Sequence, residues 1–283
     1  MIRNNNKEKQ KKTMGKTLYY LFMSAFSVIT LFPVYFAVIS SLKDDMDIFL
    51  NPFSLPVEMK FSNFARAVMV GNIGRCFLNS IILTAGTILI AGLTGTLASY
   101  ILARFKFKLK NLIFIFFVAG MMIPIQTTVI PLAYTFGGLG ITNNYAVIIL
   151  LFCAFQLPIT VFIVTGFLKS IPSEIEEAAI IDGCNPIQVF LNTIVPLSLP
   201  AISTASVFNF LFAWNNLLFP LVFISNKKMQ VIALGLQSFF AEMTSDYGGV
   251  MAAIVMSIMP PIITYIILQD KIERGLTAGA VKG

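Results

Sequence analysis

The residues best suited to chemistry form one acidic cluster in an otherwise apolar chain. Glu174, Glu176, Glu177 and Asp182 lie within nine residues, between two hydrophobic runs. Hydrophobic residues make up 57% of the chain and charged residues only 12%. Carboxylates at this density offer a fixed negative charge to a basic partner. The cluster lies in the segment 169–196, which we call the acidic loop.

Enzymatic and metal chemistry lack the usual residues. The chain contains no histidine, the commonest general base and metal ligand. Cys76, Cys153 and Cys184 are far apart, so we interpret them as packing residues rather than a disulfide or zinc site. An intramembrane enzyme would have to use Ser, Cys or Thr without a visible activating base. We therefore expect no catalytic residue and no metal site. No GxxxxGK[ST] phosphate loop is present either.

The bulk composition is that of a membrane protein. The mean hydropathy is +0.83, and the charged fraction is about half that of a soluble domain. A helix needs about 20 apolar residues to cross the hydrocarbon core. Six stretches qualify: 17–42, 76–103, 112–133, 146–168, 197–225 and 250–269. We predict an all-α membrane protein whose single transmembrane domain covers 17–283.

The distribution of Lys and Arg predicts the orientation. With residues 1–16 inside the cell, fourteen of the twenty Lys and Arg residues lie on the inner side. The acidic loop and the tail, 270–283, then lie inside as well. The net charge of +7 therefore reflects membrane topology, and we expect no nucleic-acid partner.

The predicted spans carry no ionisable side chain apart from Cys and Tyr. Charged residues inside a bilayer usually mark proton relays or ion sites. A secondary transporter also predicts recognisable halves, and neither feature is evident. Active transport by this chain would therefore draw its energy from another subunit.

Two spans carry polar residues that could line a substrate path. The third span places Gln126, Thr127 and Thr128 between Pro124 and Pro131, which suits either a hinge on a path or simple satisfaction of kinked backbone. The fifth span adds a tryptophan and three amides: Asn209, Trp214, Asn215 and Asn216. Aromatic faces and amides suit sugar hydroxyls, although bonding between helices explains them equally well. In the second span, Ala91, Gly95 and Ser99 predict close helix packing.

The acidic loop itself predicts two short helices and a turn. Ser173 and Glu176 have the spacing of a capping box, and Gly183 suits the left-handed end of a helix. Asn185 and Pro186 then suit the start of a second helix. Ala178 and Ala179 leave the surface flat, and Glu177 offers a carboxylate. We interpret the loop as a docking lever.

This stretch resembles the EAA loop of permease subunits in binding-protein-dependent ABC importers. The pattern is Glu177-Ala178-Ala179, then Gly183, then "TIVP" at 193–196; Thr193, Val195 and Cys184 depart mildly from it. "SSLKDD", "FLNSIILT", "WNNLLFPL" and the ending "RGLTAGAVKG" are similar to the carbohydrate-uptake branch and its MalG-type subunit.

The resemblance implies the type I importer architecture and a coupling role for the loop. It places Glu177, Ala178, Ala179, Asp182 and Gly183 against an ATP-hydrolysing subunit. The tail would also lie there, including Gly275, Leu276, Thr277 and Gly279. The segment 226–249 would face an extracellular binding protein.

The implied assembly contains four kinds of partner: a dimer of ABC ATPase subunits, a second MalF-type permease, an extracellular sugar-binding protein and membrane lipid. ATP and Mg would be bound by the ATPase, and no cofactor by this chain, which would be a non-catalytic half of the pore. The implied location is the bacterial plasma membrane. A permease for a non-sugar solute and a secondary transporter remain the alternatives.

Overall fold

The computed structural model describes the backbone of residues 2–242 and 246–280, and the side chains of 15–241 and 246–269. This part of the chain is helical and contains no β-strand, as the all-α prediction requires. It divides into two compact units, Met1–Val70 with Phe239–Met256, and Gly71–Ser238 with Ser257–Gly283. We call them the smaller and the larger unit.

Thirteen α-helices and two short helical segments follow one another along the described chain. They are α1 (Ile2–Ser40), α2 (Asp45–Leu50), α3 (Ser62–Met69), α4 (Ile73–Arg104), α5 (Lys110–Gly120), α6 (Ile125–Gly138), α7 (Tyr145–Leu168), α8 (Glu174–Ile181), α9 (Pro186–Val189), a π-helix (Phe190–Ile194), α10 (Val195–Asn215), α11 (Leu218–Phe223), a 3₁₀ segment (Lys227–Met229), α12 (Ile232–Glu242) and α13 (Tyr247–Ala280).

Within the described residues, the apolar helices account for five spans, or six if a bent pair counts as one. The five are Gly15–Ser40, Ile73–Arg104, Tyr145–Leu168, Pro186–Asn215 and Tyr247–Gln269. The third span, expected at 112–133, is divided instead between α5 and α6, which meet at 93°. The break falls directly before Pro124, where proline restricts the preceding residue to extended backbone.

The fifth span differs from the expected 197–225 at both ends. The chain stays helical from Pro186 to Asn215, so the second short helix of the acidic loop is the start of this span and not a separate arm. The π-helix makes this possible, because Val195 N–H donates to Phe190 O, five residues back. The wider turn carries the chain past Pro196, whose ring would disturb a regular α-helix.

The core of the larger unit is built by α4, α7 and α10, which pack on one another. Gly95 allows the closest approach, because an added Cβ would lie 2.5 Å from Cγ2 of Thr160 on α7. One turn later, Ser99 Oγ donates to Val161 O at 3.4 Å. Ala91 is fully buried. The predicted packing role of this small-residue stripe is confirmed.

The smaller unit is held by polar contacts around α3. Asn63 is buried, and its Nδ2 donates to Ser41 O at 2.9 Å and to Lys43 O at 2.8 Å. Arg66 donates from Nη2 to Asp246 Oδ1 at 2.9 Å and from Nε to Oδ2 at 3.0 Å. This bidentate ion pair holds the pKa of Asp246 below its usual range. It fastens α3 to the residue preceding α13.

Candidate functional site

The turn of the acidic loop has the predicted backbone conformation. Gly183 adopts φ +88°, a left-handed conformation that costs a residue with a Cβ substantial strain. Asn185 then caps α9: its side chain accepts from Gln188 N at 2.9 Å, and Gln188 Oε1 accepts from Asn185 N at 2.8 Å. Pro186 occupies the start of the helix. The predicted backbone and capping roles of Gly183, Asn185 and Pro186 are therefore confirmed, while the predicted coupling role of Gly183 stays a prediction.

The predicted capping box between Ser173 and Glu176 is wrong. Ser173 has helical angles, φ −69° and ψ −24°, and its side chain makes no capping bond. A capping residue needs extended backbone to direct its oxygen at the first free N–H groups. The Glu176 carboxylate is bound by two side chains of α4 instead.

Glu176 lies inside the larger unit, where it is 8% exposed. Its Oε1 forms an ion pair with Nε of Arg104, the last residue of α4. Its Oε2 accepts a hydrogen bond from the Tyr100 hydroxyl at 3.3 Å. Arg104 also donates from Nη2 to Ile171 O at 3.0 Å. The end of α4 thus binds both α8 and the segment that leads into it.

Small apolar side chains complete the inner face of the loop. Ala179 and Cys184 pack against a buried cluster. Its members come from α4, α7, α9, the π-helix and α10: Tyr100, Val164, Leu168, Val189, Ile194, Ala201 and Ala205. Cys184 is a half-buried free thiol, which agrees with its interpretation as a packing residue.

The outer face of the loop is open. Glu177, Ala178, Asp182 and Gly183 are exposed, and large apolar side chains lie exposed beside them. Ile181 is the most open, at 85%; Ile180 and Ile187 are also exposed. Exposed large apolar side chains next to polar ones mark a surface that contacts another protein or a membrane.

Two residues of the predicted substrate path have structural partners within the larger unit. Asn209 on α10 is fully buried, and its side-chain amide pairs with Thr160 Oγ1 of α7 at 3.3 Å. Trp214 is also buried: it stacks on Phe210 with ring centroids 5.7 Å apart and donates from Nε1 to Ser257 O at 3.0 Å. These contacts match the alternative in which the two residues bond helices together.

The other four members of that set lie nearer the surface. Asn215, Gln126 and Thr127 are exposed, although the Thr127 hydroxyl donates to Pro124 O at 2.8 Å. Asn216 is half-buried and accepts from Phe219 N at 3.2 Å, next to the start of α11. An apolar groove of about 290 Å³ lies between α4 and α10, and none of the six residues lines it.

The predicted tail site lies outside the described side chains. It consists of Gly275, Leu276, Thr277 and Gly279, and the structure describes only their helical backbone within α13. Their expected contact with an ATPase stays a prediction.

Comparison with known proteins identifies the class. Residues 95–278 match the binding-protein-dependent transport system inner membrane component family. This range includes the whole acidic loop. The chain belongs to this family.

Curated relatives align along nearly the full chain. It is 33% identical to the diacetylchitobiose uptake system permease protein NgcG of Streptomyces coelicolor, over 90% of this chain and 85% of that protein. It is also 33% identical to the melibiose/raffinose/stachyose import permease protein MelC of Bacillus subtilis, over 89% and 91%. A bacterial ABC transporter that imports alginate has a chain of the same fold, with a TM-score of 0.78 at 22% identity, covering 91% of this chain and 96% of that one.

Sequence reasoning missed the partners of Glu176. The sequence places Arg104 among the fourteen inner Lys and Arg residues and predicts Glu176 as part of a capping box. It does not indicate that the two side chains form a pair. One signal was available: Tyr100 and Arg104 lie four residues apart, on one helical face at the end of a span. Which carboxylate they bind depends on the fold.

Proposed function

We propose that this chain is the pore subunit of an ATP-driven importer for a mono- or oligosaccharide. Family membership supports the transport role, and the names of relatives that import diacetylchitobiose and melibiose support a sugar as cargo. The chain would form half of the translocation pore in the bacterial plasma membrane, with both termini in the cytoplasm. The excess of Lys and Arg on the inner segments supports this orientation.

The observation that carries the proposal is the two-sided acidic loop. Its inner face is fixed to α4 by Glu176, while Glu177, Ala178 and Asp182 are presented outward beside exposed isoleucines. We propose that this outer face binds a dimer of ABC ATPase subunits. Closure of the dimer on ATP would displace α8 and switch the pore between its two sides. ATP and Mg would be bound by that dimer and not by this chain.

Three further partners complete the proposed assembly. A second permease of the MalF type would form the other half of the pore, and lipid would surround both. An extracellular sugar-binding protein would deliver the cargo to the segment 226–249. On the sugar path, Gln126, Thr127 and Asn215 are the exposed candidates. Asn209 would act by holding α10 to α7, and Trp214 by holding α10 to α13.

The test is to isolate the complex and vary one glutamate at a time. The tagged chain is extracted from its native membrane in mild detergent, and the proteins that accompany it are identified. We expect an ATPase pair and a second permease. Changing Glu177→Ala should lower recovery of the ATPase, because its carboxylate is lost from the binding face. Glu174→Ala is the matched control, since Glu174 is also exposed on α8.

Two outcomes count against the proposal. Equal ATPase recovery from both variants would remove Glu177 from the binding face. Isolation of the chain alone, with transport intact, would favour a secondary transporter. A complex whose binding protein retains only non-sugar solutes would leave the ATP-driven importer in place and change its cargo.

A further inference from the structure

The cytoplasm-facing end of α4, as oriented above, is joined to α8 by three side chains. We propose that Arg104, Tyr100 and Glu176 form the linkage that makes α8 and the end of α4 move as one body when the ATPase displaces the loop. We call this trio the α4–α8 linkage. The inference rests on the proposed function, since it assumes that the outer face of the loop receives the displacement.

Apolar packing alone holds α8 weakly. The helix has eight residues. Of these, the small Ala179 packs on the buried cluster, with Ile171 before the helix and Cys184 after it. The larger apolar residues of α8, Ile175, Ile180 and Ile181, are exposed. Because hydrophobic stabilisation scales with the area buried, this inner face contributes little. The charged and hydrogen-bonded contacts of Glu176 are therefore the main attachment on this side.

The chain itself attaches α8 at both ends. A short connection leads from the end of α7 at Leu168 to the start of α8 at Glu174, and the turn at Gly183 leads on to α9. The ion pair to Arg104 is a further attachment, and Arg104 also holds the first connection through Ile171 O. Directed contacts to charged groups resist rotation of α8 better than apolar contact, because their geometry is specific.

The α4–α8 linkage ends on a part of the molecule that can carry a displacement further. Next to Tyr100, Ser99 of α4 meets Val161 of α7, and one turn earlier Gly95 meets Thr160. Packed helix pairs shift between discrete arrangements and do not deform continuously. Displacement of Arg104 would thus be passed along α4 as a movement of the whole helix.

The neighbouring glutamates supply a matched comparison. Glu174 and Glu177 are exposed, whereas Glu176 is buried against Arg104 and Tyr100. Only Glu176 belongs to the linkage. Glu176→Gln should therefore release α8 from α4, whereas Glu174→Gln, an identical chemical change on the same helix, should not.

The experiment measures the distance between α8 and α4 in the intact complex. Spin labels are placed at Ile101→Cys on α4 and Ile175→Cys on α8, both exposed positions that do not belong to the proposed ATPase-binding patch, with Cys184→Ala as background. Distances are recorded by pulsed electron resonance without nucleotide and after trapping with ATP and vanadate. We expect the same narrow distribution in both states, and the same again in Glu174→Gln.

Glu176→Gln should broaden the distribution and make it depend on nucleotide. The charge exchange of Arg104→Glu with Glu176→Arg should narrow it again. A purely structural role would lower the yield of folded protein without adding nucleotide dependence. If Glu176→Gln does not accumulate, Tyr100→Phe serves instead, since it removes one hydrogen bond and should give a smaller broadening.

Two results would overturn the linkage: a narrow, nucleotide-independent distribution in both Glu176→Gln and Tyr100→Phe, or a distance that already changes between states in the protein without these substitutions. Failure of the proposed function looks different. No ATPase would accompany the labelled chain, and vanadate would trap no nucleotide.

Discussion

Two ion pairs, Arg104–Glu176 in the larger unit and Arg66–Asp246 in the smaller one, differ in their surroundings. In the larger unit, the side chains of Arg104 and Glu176 are 15% and 11% exposed. In the smaller unit, those of Arg66 and Asp246 are 44% and 20% exposed. Both pairs join elements that are distant in sequence, yet water reaches only one of them freely.

The difference shows what each pair is needed for. Around Arg66, other bonds link the same elements through the chain between α1 and α2: Asn63 of α3 binds the carbonyls of Ser41 and Lys43, and Asp45 Oδ1 accepts from Gly248 N of α13 at 2.8 Å. An exposed pair in such a setting adds little. Around Glu176, α8 contributes few large buried apolar side chains, so the pair carries much of the attachment of this helix. A buried pair is costly to break, because the remaining charge stays without a partner.

The largest effect should come from breaking the buried pair. Arg104→Ala leaves the Glu176 carboxylate buried without its cation, and we expect a loss of about 3–5 kcal/mol in unfolding free energy. Thermal unfolding in detergent measures it. Arg66→Ala is the matched change in the exposed pair and should cost much less. Equal losses in the two variants would contradict the comparison.

The next effect should come from the turn of the acidic loop. Gly183→Val places a β-branched residue at φ +88°, which should cost about 1–2 kcal/mol. No atom obstructs a Cβ there, so the cost is one of backbone conformation alone. Gly183→Asn, which tolerates this region, should lose less than Gly183→Val. Co-purification of the ATPase and thermal unfolding are measured together; identical behaviour of the two variants would show that the backbone angle is unimportant.

A smaller effect is expected from the exposed pair. Asp246→Asn should lower stability by about 0.2–1 kcal/mol, and the loss should shrink in high salt, because solvent screens this pair. A double-mutant cycle with Arg66→Ala isolates the contribution of the pair. A coupling energy as large as that between Arg104 and Glu176 would remove the distinction between them.

The smallest effect should be the loss at low pH of the stability that the Arg66–Asp246 pair contributes. Arg66 lowers the pKa of Asp246 from its ordinary value of 3.8. The pair therefore stabilises the fold fully above that value, and the contribution is lost as the pH falls through the lower pKa of the folded protein. The stability difference between the native chain and Asp246→Asn should disappear at low pH. A difference that grows on acidification would contradict this assignment.

Local sequence rules predicted local structure well. The left-handed Gly183, the cap at Asn185 and the position of Pro186 all depend on residues that are neighbours in the chain. The packing stripe of Ala91, Gly95 and Ser99 follows from residue size and helical spacing. The all-α membrane class follows from composition. None of these needs knowledge of a distant partner.

The same rules were weaker where local signals conflicted. The predicted fifth span begins at 197, directly after Pro196, but the π-helix lets the helix run without a break from Pro186 to Asn215. Pro124 suggested a hinge, but its angle of 93° could not be read from the residue. Such outcomes depend on how the surrounding helices pack, and packing routinely overrides local preference.

The sequence alone determined that this chain is an all-helical membrane protein and that its acidic loop turns at Gly183, because apolar length and backbone preference are local properties. Only the tertiary structure decided which of the three glutamates faces inward. Glu174, Glu176 and Glu177 are chemically alike, and Ser173 gave Glu176 a plausible local partner. The fold brings Tyr100 and Arg104 to it across more than seventy residues, and a buried carboxylate is stable only where such partners surround it.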